Sequence, residues 1–372
     1  MTWPRRMTAA QQVGQLLWIG FDGNAFGPAL ARLLRDVQPG GIILFGRNLP
    51  PEPRRLRALT DALDRAVPIP PFIALDQEGG RVSRLRGLLG PTLTSAALAS
   101  RADAPTAVRR HAEGTALALK TLGFNVNFAP VLDLGRAEAP NGIGDRAYGD
   151  DPRTVSRLAG IFAAVHTRLG VVPVGKHFPG LGPAVGDTHD LLPVVRTTRA
   201  ELMRRDLVPY RRLRRALPMV MIGHACYPAL QERGDQPASL AAPVVTTLLR
   251  KNLDYRGLVL TDDLEMGAID QGLGAGALAV LAFRAGADGL MFCKSEEKIR
   301  AAAATLEQAT RDGRLVPERL RASLRRIAAI KKRALGSRRR PKFTPSGLAR
   351  ARAVLAALAP EHVEGHDPTA RT

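Results

Sequence analysis

Eight short apolar runs recur along the chain, each bounded by glycine, proline or polar residues. They occupy 16–20, 42–45, 71–75, 125–129, 171–175, 218–222, 257–260 and 289–292. Most are continuously apolar rather than alternating, which is the pattern of strands buried on both faces. Between them lie stretches of helical periodicity. One runs from Ala107 to Leu122 and is closed by Gly123; another runs from Val155 to Leu169 and is closed by Gly170. Glycine just past the last periodic residue is a common helix stop. Strands alternating with helices predict parallel βαβ units. Eight of them predict an α/β fold, a single (β/α)₈ TIM-type barrel, usually about 250 residues long and larger with insertions. An open doubly wound sheet is the competing architecture, but no glycine-rich dinucleotide turn follows the first run. After the eighth run, 296–310 and 317–335 read as two outer helices. The barrel domain is therefore expected over 1–336. Residues 337–372 turn basic, then rich in alanine and leucine, then polar. They are expected to form a C-terminal helical appendage, partly disordered.

Composition narrows the class. A chain of 372 residues with 45% hydrophobic and 24% charged residues can bury a full core. Two cysteines, Cys226 and Cys293, are too few for a disulfide framework and fit a reducing compartment. No stretch approaches the roughly 20 apolar residues of a membrane helix. The basic N-terminus lacks an apolar segment behind it, so no secretory leader is expected and a cytoplasmic location is. A monomer without a membrane partner is expected. The net charge of +20 raises nucleic acid or an anionic surface as a partner. The charge is scattered, however, over Arg204-Arg205, Arg211-Arg212, Arg214-Arg215 and the segment from Lys331 to Arg340. With aromatics at only 5%, no stacking platform for single strands is visible, and no nucleic-acid partner is expected.

A barrel presents its chemistry where the strands end. The residues that fall there are Asp76, Asp133, Lys176-His177, His224 and Asp262-Asp263. The densest segment is Lys176-His177-Phe178-Pro179-Gly180-Leu181-Gly182, with Asp187-Thr188-His189 following closely. Its glycines and prolines predict a loop. An aspartate two residues before a histidine can orient the ring and favour its protonated form, which suits general acid/base work. Carboxylates with cationic neighbours suit the recognition of sugar hydroxyls. Asp262, directly after an apolar run, can hold a fixed carboxylate against an anomeric carbon, as the nucleophile of retaining glycoside hydrolysis does. One of Asp262 and Asp263 is expected to N-cap the next helix. The run Asp76-Gln77-Glu78-Gly79-Gly80-Arg81 equally admits a cap or a buried ion pair. His177, Asp187 and His189 are residue types that bind metals, but Lys176 would repel a cation and the spacing matches no compact metal motif. No metal or other cofactor is expected.

The pattern Lys-His-Phe-Pro-Gly-x-Gly-x₄-Asp-Thr-His, from Lys176 to His189, resembles glycoside hydrolase family 3. The match is to its bacterial β-N-acetylglucosaminidase branch, used in peptidoglycan recycling. The resemblance extends to about Leu335 through Gly14-Gln15-Leu16-Leu17, the segment from Ala74 to Val82, Asn127 to Asp133, Ile143 to Tyr148, Thr261 to Met266 and Ala285 to Asp288. It implies Asp262 as catalytic nucleophile, His189 as general acid/base and Asp187 as its dyad partner. It implies that Asp76, Arg84, Arg146, Lys176 and His177 hold the N-acetylglucosamine unit of a saccharide substrate. Pro183-Ala184-Val185-Gly186 depart from a more polar spacer in many relatives, which bears on loop mobility. Phosphate in place of water as acceptor, or a different sugar, are the alternatives. Arg84, Arg146 and Lys176 are expected to face a solvated mouth and to matter little for stability.

Overall fold

The computed structural model describes residues 7–135, 142–184, 192–231, 236–269, 272–335 and 342–358. All eight apolar runs form strands: Leu17–Ile19, Gly41–Ile43, Phe72–Leu75, Val126–Asn127, Val172–Phe178, Met219–Ile222, Leu258–Asp263 and Gly289–Phe292. Each pairs in parallel with its neighbour in chain order, and Leu17 opposite Leu290 closes the barrel. This is the (β/α)₈ barrel that the pattern predicts. A two-stranded hairpin, Gln77–Gly79 with Val82–Ser83, is inserted after the third barrel strand.

The fifth and seventh strands continue past their apolar runs, into Lys176-His177-Phe178 and Thr261-Asp262-Asp263. Pairing is a property of the backbone, so it survives the change to polar side chains. The consequence is functional. Lys176, His177 and Asp262 sit on sheet rather than on loop, where their positions are fixed by the barrel itself.

The barrel interior is filled rather than open. Trp18 of the first strand is fully buried and stacks on Phe72 at 5.1 Å between centroids. Gly41 of the second strand makes room, since a Cβ there would lie 2.3 Å from the indole. Outer helices are punctuated as their sequences predict. Asp151 accepts the Thr154 amide at the start of helix Pro152–Leu169, and Gly170 ends it in the left-handed region at φ 82°. Within the C-terminal segment, helix Pro345–Ala356 packs on helix Ala104–Thr121 and buries Leu348, Ala351 and Leu355 in the core of the barrel.

Helix Pro317–Leu335 brings a cation into that core. Lys331 is fully buried, with Nζ 2.7 Å from Gln15 Oε1 and 5.3 Å from the centroid of Phe72. Burial lowers its amine to about 7, against a partial pull from Asp64. The unfolded amine titrates near 10.5. Between these two values the unfolded chain therefore holds a proton that the folded chain has lost, and stability from this group rises with pH. Across that window wild type should gain about 2–4 kcal/mol on Lys331→Met, read by urea denaturation at pH 7 and pH 10. A difference that stays constant with pH would mean that the ammonium keeps its proton inside the fold.

Candidate active site

The site is built at the C-terminal ends of the strands, and its centre is a row of alternating charges. Asp76 follows the third strand, Glu78 lies on the hairpin, Arg146 ends the short turn Gly144–Arg146, and Lys176 lies on the fifth strand. Lys176 Nζ is 2.6 Å from Asp76 Oδ1 and 2.7 Å from Glu78 Oε1. Arg146 forks onto the other side of Glu78, with Nε 2.9 Å from Oε2 and Nη2 2.8 Å from Oε1. Arg84 reaches Asp76 Oδ2 at 4.0 Å. Burial would raise the Glu78 carboxyl, but Arg146 and Lys176 hold it well below the usual carboxylate range. Burial likewise opposes the Lys176 ammonium, and Asp76 and Glu78 together hold it above the ordinary lysine value. Glu78, Lys176 and Arg146 are thus ionised inside the protein.

This corrects one expectation. Lys176, Arg146 and Arg84 do not stand in a solvated mouth: their side chains are 3%, 7% and 5% exposed. A guanidinium or ammonium this deeply placed needs a carboxylate against it, and the hairpin supplies one. Asp76, at 14%, is the member that edges the opening. Glu78 is the residue that sequence reasoning passed over, although the buried ion pair weighed for its segment is the arrangement found. The hairpin is held in place by Asn127 of the fourth strand. Its side-chain oxygen accepts the Gln77 amide at 3.0 Å, and its nitrogen donates to the Gln77 carbonyl at 3.0 Å.

Asp133 organises the next group. Its Oδ2 accepts from the His177 amide at 3.1 Å and from His177 Nδ1 at 2.7 Å, and its Oδ1 accepts the Leu181 amide at 2.7 Å. One buried carboxylate therefore sets both the ring of His177 and the start of the loop that follows. Within that loop Gly182 passes so close to the chain that a Cβ would lie 1.8 Å from the Leu134 carbonyl oxygen. His224, after the sixth strand, accepts from the Ser239 hydroxyl at Nδ1 (2.8 Å) and donates from Nε2 to the Asp263 carbonyl at 2.9 Å. Burial lowers its pKa, and these partners suit the neutral ring.

Asp262 and Asp263 are adjacent yet differ sharply. Burial would raise the Asp262 carboxyl. The neighbouring rings of His177 and His224, the Asp263 amide on Oδ1 (2.9 Å) and Lys176 bring it below its ordinary value. Asp263 is pushed up to about 7, first by burial and then by the charges of Glu265 and Asp262. It caps no helix. Its Oδ1 instead accepts the amides of Glu265 at 3.1 Å and of Cys293 at 3.2 Å, tying the seventh strand to the eighth. Such a split between neighbouring carboxyls separates an ionised group from a structural one. The structure thus brings Asp76, Arg84, Arg146, Lys176, His177 and Asp262 to one barrel end. Asp187 and His189 lie outside the described residues.

Carboxylates on rigid strand ends, with cations behind them, suit the chemistry of a barrel enzyme of the glycoside hydrolase class. The chain belongs to glycosyl hydrolase family 3: the model of that family's N-terminal domain matches residues 8–330. It is 38% identical over 292 residues to a β-hexosaminidase of Alkalilimnicola ehrlichii, covering 77% of this chain and 82% of that protein. It is also 38% identical over 339 residues to the β-hexosaminidase LpqI of Mycobacterium tuberculosis, covering 88% and 84%. Among solved structures, a family 3 β-N-acetylglucosaminidase from Paenibacillus superposes with a TM-score of 0.86 at 34% identity, over 94% of this chain and 68% of that one.

The charge row makes a stability prediction. Glu78→Gln leaves Arg146 without its carboxylate and Lys176 with only Asp76. Breaking a buried pair from one side costs about 3–5 kcal/mol, to be read as a fall in the urea midpoint together with lost turnover. Unchanged stability would show that the row is solvated in solution and does not hold the site.

Proposed function

We propose that this chain is a retaining exo-β-N-acetylglucosaminidase that removes terminal β-1,4-linked N-acetylglucosamine from peptidoglycan fragments. The substrate is GlcNAc-1,6-anhydro-MurNAc with or without peptide, and the reaction takes place in the cytoplasm. The observation that carries the reading is the contrast within one dipeptide. Asp262 is held ionised at the end of the seventh strand, while Asp263 is raised to about 7 and bound to backbone amides. The β-hexosaminidase activity of the relatives at 38% identity supports the sugar class. Two buried cysteines without a disulfide agree with the compartment.

In the first half-reaction a carboxylate oxygen of Asp262 bonds to the anomeric carbon as the glycosidic C–O bond breaks. The bridging oxygen takes a proton from His189, which Asp187 orients. In the second half, water gives its proton to His189 and bonds to the anomeric carbon as the bond to Asp262 breaks. Two inversions leave the β-configuration intact. Asp76, at the opening, uses its remaining lone pairs for sugar hydroxyls, with Arg84 beside it. Lys176, Glu78 and Arg146 act behind it as positioning residues. His177, aligned by Asp133, stands beside Asp262 as a further positioning residue.

Asp262→Asn should lower kcat by roughly a thousandfold or more while the variant stays folded and still binds N-acetylglucosamine. Asp263→Asn, close in shape to a protonated aspartate, should lose less than about tenfold. If Asp263→Asn is the dead variant instead, the nucleophile has been misassigned. A nitrophenyl β-N-acetylglucosaminide and the matching β-glucoside, assayed side by side, test the sugar; comparable rates would sink that part of the reading.

The dyad has its own signature. A nitrophenyl leaving group needs little protonation, whereas a disaccharide needs a proton on its bridging oxygen. His189→Ala should therefore spoil disaccharide cleavage far more than formation of the glycosyl-enzyme from the activated substrate. It should also show a burst followed by slow turnover that azide accelerates. Equal damage to both substrates, with neither burst nor azide effect, would remove His189 from the chemistry.

A further inference from the structure

The barrel end opposite the site carries a second concentration of charge, and of one sign. A concavity of about 560 Å³ is lined there by Arg214, Arg215, Arg256, Arg325, Arg326 and Arg333. Its place is fixed by Leu217, Pro218 and Gly257, which precede the sixth and seventh strands and so mark their N-terminal ends. Helix Pro317–Leu335 forms the other wall, through Arg325, Arg326 and Arg333 of its five arginines and through Ala322, Ala329 and Ile330. Arginines far apart in the sequence, which read there as scattered surface charge, are gathered by the fold into one groove.

The acidic counterpart is small. Among the described residues of the lining Asp254 is the one carboxylate, and it accepts from Arg256 Nε at 2.6 Å. Asp288, buried behind the wall, is shared by Arg326 and Arg319, each at 3.1 Å, by Arg250, and by the Ser323 hydroxyl at 2.6 Å. Its single charge is therefore already used. Arg215, Arg325 and Arg333 are exposed and have no acidic partner among the described residues. Guanidinium groups do not shed their protons, so beyond what solvent and salt screen, their clustering in one concavity favours a bound anion.

The form of the groove selects the anion. Planar guanidinium forks match phosphoryl oxygens in pairs, and several forks in one concavity can hold more than one phosphoryl group. The volume is that of a small-molecule site, and the floor of Leu217, Pro218 and Ile330 is apolar. A concave surface of this size does not match a flat lipid surface, and the absence of aromatic side chains among the described residues of its lining disfavours a nucleic-acid strand held by base stacking. We propose that this groove binds a soluble organic phosphate with at least two adjacent phosphoryl groups, of the nucleoside diphosphate kind. Its phosphates lie on the arginines and its organic part lies on the apolar floor. The site is separate from the catalytic end and does not rest on the sugar specificity.

The test uses the full chain, with ADP and inorganic pyrophosphate as probes, in calorimetric titrations at about 0.15 M salt, where non-specific screening is already strong. ADP should bind saturably at one site, and several-fold more tightly than pyrophosphate. The doubly substituted Arg325→Gln/Arg333→Gln protein should bind ADP at least tenfold more weakly, with turnover of the nitrophenyl N-acetylglucosaminide unchanged. Saturating ADP should raise the melting temperature of wild type and not that of the double variant. Equal ADP affinity in both proteins, or no saturable binding, would overturn the proposal. So would pyrophosphate binding as tightly as ADP, which would leave the floor without a role. Tighter binding to phosphatidylglycerol vesicles or to a single-stranded oligonucleotide, either of them displacing ADP, would assign the face to a different partner and overturn it as well.

Discussion

The Glu78 carboxylate stands where Lys176 and Arg146 converge, and the alternation of sign from Asp76 through Lys176 and Glu78 to Arg146 lets four charges occupy one buried row. Each charge would be costly alone in such a place, and each is tolerated because opposite charges flank it at hydrogen-bonding distance. The four residues come from four separate segments: a strand end, a hairpin, a short turn and a long strand. The row is therefore also a tie, fastening the inserted hairpin and the turn to the barrel wall. A further chain of contacts backs it. His166, kept neutral by burial, meets Asn127 through Nε2 at 3.1 Å, and Asn127 clamps the backbone of the hairpin.

The two ends of the barrel solve the same electrostatic problem differently. At the C-terminal end, cations and carboxylates are nearly matched, so charge is spent on position and on keeping Asp262 ionised. At the N-terminal end two carboxylates, Asp254 and Asp288, answer a larger set of guanidiniums, and the excess is turned outward. The formal charge of +20 thus describes neither end well. What matters is the local ratio of signs, which the fold sets and the composition does not.

The barrel was legible because its strands are buried on both faces, so that apolar runs and glycine stops mark every repeat. Strand ends were less so. Periodicity ends at the first polar side chain, while backbone pairing in the fifth and seventh strands continues through Lys176-His177 and Asp262-Asp263. The residues that gather at the candidate site, Asp76, Arg84, Arg146, Lys176, His177 and Asp262, could be named from strand ends and motifs, but their solvent environment could not. Nothing local tells whether Arg146 faces water or Glu78, because the partner lies 68 residues away in the chain. The same holds for Asp133, whose grip on His177 spans 44 residues. The helix cap expected of the Asp262-Asp263 pair gave way to a cross-strand contact for the same reason: a carboxylate beside two open amides takes whichever the fold brings.

Closure of the barrel carries a consequence for how the molecule is made. The first strand pairs with the second on one side and with the eighth on the other, through Leu17 and Leu290. During synthesis, one edge of that strand has no partner until nearly the whole domain has left the ribosome. Leu17, Trp18 and Ile19 are all fully buried when the ring is complete, so the waiting edge is as apolar as any in the chain. An unpaired apolar edge is a template for contact with other nascent chains, and late closure prolongs that exposure. The first strand of the barrel is therefore open to such contacts for as long as the eighth takes to reach it.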